Sequence, residues 1–210
     1  MNLYLSSYRI PNLAELESLL GQPAHKTKVA LIPNAKDYHP KKLRAEKILE
    51  SLEYFSALGF KAKVVDLQIY NNPSILETEL HSYDLIWVLG GNSFVIRSEI
   101  EKTGFDNVIR NSLNQGKTYG GESAGAIIAG NSLEGIEAAD DPKFAEKVIY
   151  QGMNLTNHFI LPHVGNQQYS EAINIAKRTH KDDKSMIELT DSQVYLVKGG
   201  STRVLSSVEI

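Results

Sequence analysis

Apolar and polar positions alternate along the chain with two different periods. Residues 29–33, Val-Ala-Leu-Ile-Pro, make a short apolar run of the kind that fills a buried strand. Over residues 41–58 the apolar side chains Leu43, Ile48, Leu49, Leu52, Phe55 and Leu58 recur at helical spacings, and Gly59 follows where a helix needs a left-handed stop. Residues 61–67 and 84–89 return to strand-like runs. The second of these, ending Leu85-Ile86-Trp87-Val88-Leu89, is the most apolar. Gly90-Gly91 ends it, and residues 93–102 and 106–115 are predicted helices. A short strand at 117–120 leads into a small-residue helix at 124–129.

The second half is less regular. Residues 134–152 are acidic and weakly patterned, which predicts a loop with a helical turn near 142–147. Residues 157–161 are a strand candidate ending at Pro162-His163, and residues 167–177 are a helix that Asn166 can cap. Runs at 186–189, 194–198 and 202–207 predict closing strands, with a hairpin at Gly199-Gly200. At the start, residues 3–5 suit a strand, and Asn12 caps a helix with Glu15 three residues on. Strand–helix alternation of this kind predicts an α/β fold, a mostly parallel sheet covered by helices on both faces. Ligands of such sheets bind beyond the carboxyl ends of the strands, so the turns after Leu89, Gly120 and Leu161 are the places to search.

Composition narrows the chemistry. The 210 residues suit a single domain, 1–210, and 42% apolar against 22% charged residues supports a packed core. A net charge of −3 argues against a nucleic-acid or anionic-membrane partner. The chain has no cysteine, which removes disulfides, thiolate catalysis and Cys-ligated zinc. No apolar run approaches the ~20 residues of a bilayer span, and the first twenty or so residues carry no cationic leader pattern, so a cytoplasmic location is expected.

Gly121-Glu122-Ser123-Ala124-Gly125 is a G-x-S-x-G between a predicted strand and a predicted helix. A tight strand-to-helix turn needs small flanking residues. It lifts the Ser123 hydroxyl clear of the sheet at the positive end of the next helix, where an oxyanion is also favoured. A glycine-rich turn whose serine merely caps a helix is the competing interpretation. Gly90-Gly91-Asn92, after the most apolar strand, is placed to supply one backbone oxyanion donor. The amides of Gly91 and Ala124 are the predicted pair. A phosphate cradle fits less well, because neither G-x-x-x-x-G-K-[ST] nor G-x-G-x-x-G is present.

Of the six histidines, His163 is best placed as a base: it ends a predicted strand on the edge where Ser123 should emerge. His158, at the start of the same run, falls toward the other end of the sheet. Two carboxylates are candidates to orient the imidazole. Asp140 lies in an acidic loop between serine and histidine, and Asp191 follows a late strand; spacing alone does not choose between them. The histidines are scattered and H-E-x-x-H is missing, so no metal site is expected.

Leu89-Gly90-Gly91-Asn92, Gly121-Glu122-Ser123-Ala124-Gly125-Ala126 and Leu161-Pro162-His163 together resemble the serine peptidase family of dipeptidase E (α-aspartyl dipeptidase) and cyanophycinase. The resemblance covers residues 29–197. It implies a flavodoxin-like sheet similar to class I glutamine amidotransferases, with Ser123 as nucleophile and His163 as base. It also implies a small-peptide substrate, no cofactor, and possible homodimerisation. For the acid, the segment around Asp140 and the position of Asp191 each resemble a carboxylate-bearing segment of that family. Asp191 is preferred because a strand end fixes a side chain better than a long loop. Glu122 stands where dipeptidase E would carry tryptophan, so aspartyl specificity does not transfer. Glu122 is instead a candidate to hold a peptide's amino group, and Arg97, Lys102 and Arg178 are candidate partners for a substrate anion. The expected activity is serine-type hydrolysis of dipeptides or small peptides. An esterase, amidase or acyltransferase on the same site, or an inactive ligand-binding homologue, is the alternative.

Overall fold

The computed structural model describes residues 1–207. In chain order the strands and helices are β1 (Asn2–Ser6), α1 (Leu13–Leu20), β2 (Lys28–Ile32), α2 (Lys41–Ala57), β3 (Lys61–Val64), α3 (Pro73–His81), β4 (Leu85–Val88), α4 (Ser93–Thr103), α5 (Phe105–Asn114), β5 (Thr118–Glu122), α6 (Ala124–Ile127), β6 (Ile160–Leu161), α7 (Ser170–Thr179), β7 (Ile187–Glu188), β8 (Gln193–Lys198) and β9 (Ser201–Ser206). The main sheet has seven strands in the order β3-β2-β4-β5-β1-β8-β9. The first five are mutually parallel; β8 and β9 add an antiparallel edge. The parallel part has a flavodoxin-like order when β1 is counted as its last strand, β2 to β5 taking the first four places.

The most apolar run, β4, lies inside the sheet, and all its residues are buried. Side chains on a strand point alternately to the two faces, so each strand feeds two cores. On one face Leu5, Val88 and Tyr119 pack with residues of α3 to α7. On the other, Tyr4, Leu31 and Trp87 pack with Leu16 and Leu19 of α1 and Phe55 of α2. The switch in winding direction falls between β2 and β4. There the turn after β2 meets the Gly90-Gly91 loop after β4: the Asn92 N–H donates to the Ala35 carbonyl at 2.8 Å.

Several elements differ from expectation. The strand expected over 61–67 stops at Val64, and Leu67–Ile69 form a 3-10 turn. The helix α3 carried no prediction, although Asn72 caps it, Pro73 sits in its first turn, and Leu76 and Leu80 bury at i,i+4 spacing. The strand expected over 157–161 is reduced to Ile160–Leu161 and lies outside the main sheet, paired in parallel with β7. The chain before it folds against the turn after α6, where the carbonyls of Asn157 and His158 accept from the side chain and the N–H of Asn131, at 3.0 and 3.1 Å, so those two residues are not free for a ladder. The predicted helix at 167–177 begins with a single 3-10 turn and becomes α-helical at Ser170.

Candidate active site

Ser123 joins β5 to α6 with φ 49° and ψ −113°, a conformation that non-glycine residues rarely adopt. Hydrogen bonds on both sides hold it there. Its N–H donates to the Ser6 carbonyl at 3.1 Å, and its carbonyl accepts from Ala126 and Ile127 at 2.9 Å. The flanking glycines are required by contact. A Cβ on Gly121 would lie 2.3 Å from the Gly125 carbonyl oxygen, and one on Gly125 would lie 2.3 Å from that of Val88. The elbow therefore presses directly onto β4 and β5, and the partly exposed Ser123 side chain projects into a cavity of about 260 Å³.

His163 follows β6 and Pro162 in the left-handed region, φ 63°. Its Nε2 lies 2.9 Å from Ser123 Oγ, and its Nδ1 lies 2.6 Å from Asp191 Oδ1. The ring stacks on Tyr169, centroids 4.5 Å apart and planes inclined by 18°. Asp191 in turn accepts from Ser7 Oγ at 2.9 Å and from Asn166 Nδ2 at 2.8 Å. Partial burial works against this carboxylate. The donors Asn166, His163 and Ser7 outweigh burial and hold it below the usual aspartate range. With Asp191 ionised, the imidazole proton sits on Nδ1 and leaves Nε2 to accept from the Ser123 hydroxyl.

The two candidate acids are thereby separated. Asp140 lines the same cavity, but its Oδ2 accepts from the N–H and hydroxyl of Ser93, at 2.8 and 2.6 Å, and not from His163. Burial pushes its carboxyl above the usual range, against the Ser93 hydrogen bonds. His158, the discarded base, bonds through Nδ1 to Thr156 Oγ1 at 2.7 Å and to the Tyr195 hydroxyl at 3.1 Å.

Gly91 lines the cavity beside Ser123, and Ala124 follows the serine directly. Among the described residues neither amide N–H has a hydrogen-bond partner, so two donors stand open next to the hydroxyl. Asn92 has a structural part: its Oδ1 caps α4 by accepting from Phe94 and Val95, and its Nδ2 donates to the Asp141 carbonyl. Glu122 corrects an expectation. Strand alternation turns it to the face opposite Ser123, into a second cavity with Arg9, Lys36 and Tyr54. There it accepts from the Gly90 N–H at 3.3 Å, so it does not reach a peptide held at Ser123. Burial raises its pKa, opposed by Lys36, the Gly90 N–H and Arg9. Arg97 and Lys102 are also engaged elsewhere, with Asp106 at 3.0 Å and Glu146 at 2.7 Å. Neither they nor Arg178 lines the cavity.

Sequence reasoning missed Ser7. Its Oγ accepts from the His163 N–H at 2.7 Å while donating to Asp191. No sequence signal marks it; its place comes from register, since β1 pairs with β5 so that Ser6 lies opposite Glu122, which brings Ser7 beside Ser123. It also missed the Tyr169 ring and the second use of Asn166, whose Oδ1 caps the turn at Gln168 while its amide nitrogen reaches Asp191.

Residues 6–205 match the model of peptidase family S51. "Uncharacterized peptidase Lin0382" of Listeria innocua is 31% identical over 201 residues, covering 94% of this chain and 92% of that one. "Peptidase E" of Haemophilus influenzae is 34% identical over 80 residues, 38% of this chain and 35% of its own. Among solved structures, "a Putative Peptidase E Protein from Listeria monocytogenes EGD-e" superposes with a TM-score of 0.80 at 24% identity, covering 98% of each chain.

Proposed function

The chain belongs to peptidase family S51, and we propose that it hydrolyses dipeptides or other small peptides through an acyl-enzyme on Ser123. It is a serine peptidase; the substrate class and the roles of individual residues are our reading. The observation that carries it is the unbroken hydrogen-bond chain Asp191–His163–Ser123 ending in a cavity with two open amides.

In this reading Ser123 Oγ attacks the scissile carbonyl carbon as its proton passes to His163 Nε2. The carbonyl π electrons move onto oxygen, and the N–H groups of Gly91 and Ala124 receive the resulting oxyanion. Asp191 remains ionised and stabilises the imidazolium. The tetrahedral centre then collapses, the C–N bond breaks, and His163 protonates the leaving amine. Water repeats the sequence on the ester, with His163 again taking a proton, and frees the acid and Ser123.

The cavity walls bear on the substrate. Among the described residues no lysine or arginine lines them, so an acidic side chain would find no cation there. Among the described residues Asp140 is the one carboxylate in their lining, and its Oδ1 has no hydrogen-bond partner. We assign it to the ammonium of a peptide's free N-terminus. At about 260 Å³ the cavity is near the small end of ligand sites, which suits a dipeptide.

Treating the protein and Ser123→Ala with a fluorophosphonate, followed by peptide mass spectrometry, tests the nucleophile. The expected adduct is on Ser123 and vanishes in the variant. An unlabelled wild-type chain, or labelling that survives the substitution, overturns the proposal. A panel of dipeptides and carboxylic esters then tests the substrate class: turnover of esters with no turnover of any dipeptide would make this an esterase.

A further inference from the structure

Gly90 and Gly91, on either side of the peptide unit that carries the Gly91 amide, have no side chains to hold it. Two successive glycines leave its backbone dihedrals free, and Gly91 has φ +153°. Yet an oxyanion donor contributes only when it is aimed before the charge develops. The Gly91 N–H belongs to the same planar trans peptide unit as the Gly90 carbonyl, so whatever fixes the direction of that oxygen also fixes the N–H, which points the opposite way. The Gly90 oxygen accepts from Lys36 Nζ at 2.7 Å. The preceding peptide unit is fixed as well, since the Gly90 N–H donates to Glu122 Oε1 at 3.3 Å. Lys36 and Glu122 are both partly buried, and both line the cavity on the sheet face away from Ser123.

The loop is enclosed further by the turn that carries Lys36. Ala35 accepts the Asn92 N–H at 2.8 Å, and a Cβ on Gly91 would lie 2.2 Å from the Ala35 oxygen. Lys36 makes no ion pair within 4.0 Å, and neither does Glu122, among the described residues. Their polar contacts go to the loop backbone. An ammonium on a carbonyl also polarises the amide and strengthens its N–H as a donor.

We propose that Lys36 and Glu122 are positioning residues that grip the two polar groups of Gly90 from behind the sheet and so aim the Gly91 N–H at the reacting carbonyl oxygen. This rests on Ser123 as nucleophile and the Gly91 N–H as an oxyanion donor. Neither residue touches substrate, so the pair governs transition-state stabilisation and not binding.

The test compares the wild-type chain with Lys36→Met, Lys36→Arg, Glu122→Met and Glu122→Gln. Each is measured for kcat and KM on a turned-over dipeptide, affinity for a peptide boronic acid, and thermal midpoint. The boronate forms a tetrahedral adduct that uses the oxyanion site; the ground-state dipeptide does not. Lys36→Met is expected to lower kcat about tenfold, with boronate affinity falling in parallel and KM held within about twofold. Lys36→Arg, which keeps a cationic donor, should recover most of the loss. Glu122→Gln, which keeps an acceptor, should behave like wild type, whereas Glu122→Met should lose kcat. Should Lys36→Met not fold, the Glu122 pair carries the same comparison. Unchanged kcat in folded Lys36→Met and Glu122→Met, or a change confined to KM, overturns the proposal. So does Glu122→Gln as damaged as Glu122→Met. Fluorophosphonate labelling of the wild-type chain separates the two levels: normal labelling with unaffected variants overturns the positioning role alone, while absent labelling overturns the Ser123 reading and this one together.

Discussion

At position 191 a partly exposed carboxylate has three donors around it, Ser7, His163 and Asn166. Converting it to an amide removes the charge opposite the imidazolium. Asp191→Asn is therefore expected to lower kcat by about four orders of magnitude with little change in KM, checked by steady-state kinetics. The depressed Asp191 pKa also gives a signed stability effect. A carboxyl that ionises more readily in the folded state contributes stability that is fully present above the ordinary aspartate value of about 3.9. That stability is lost as pH falls through the lower folded value. Urea unfolding should thus show a gap between wild type and Asp191→Asn that is constant at neutral pH and closes as pH drops below about 4. Asp140 predicts a different signature. Asp140→Asn should raise KM for free-amino dipeptides about tenfold or more, leave N-acetylated peptides unaffected, and preserve fluorophosphonate labelling. Spacing along the chain gave both aspartates a claim to His163. The choice between them depends on which side chain reaches Nδ1, a distance that no sequence interval encodes. Ser7 was illegible for a similar reason: a serine after a strand carries no pattern, and its role comes from the pairing of β1 with β5.

The elbow is the element on which the site depends, and its requirements are steric. Gly125→Ala places a methyl group 2.3 Å from the Val88 oxygen, a backbone atom that cannot swing away. It should cost about 3 kcal/mol or more of stability, read from the urea midpoint, and abolish labelling of Ser123 even where the fold survives. Legibility was high here because the glycine pattern states the steric demand directly. It was lower elsewhere. The strand at 157–161 was overextended because an apolar run does not reveal that Asn157 and His158 are already bonded to Asn131 in the turn after α6. The helix α3 had its cap and its i,i+4 leucines in plain view but is short, and weakly amphipathic segments of that length resemble loops.

The cavity is a property of the whole molecule. It gathers Ser123 from β5 and α6, Gly91 from the loop after β4, His163 from the end of β6, Asp140 from the acidic loop, and Tyr169 and Ile173 from the region of α7. Its lining without lysine or arginine predicts that dipeptides with a neutral first residue are turned over faster than those beginning with aspartate. Its size predicts that folded or denatured proteins are left uncut. A dipeptide panel with a casein control checks both. The sequence by itself determined the alternation of strands and helices, the tight turn at Ser123 and the glycine pair after β4. Each of these is set by local sterics and by the period of apolar side chains. Which carboxylate meets His163, which face of β5 receives Glu122, and what grips the Gly90 backbone were decided only by the tertiary structure. Those contacts join residues 28 or more positions apart, and only the packing of the sheet brings their atoms within hydrogen-bond reach.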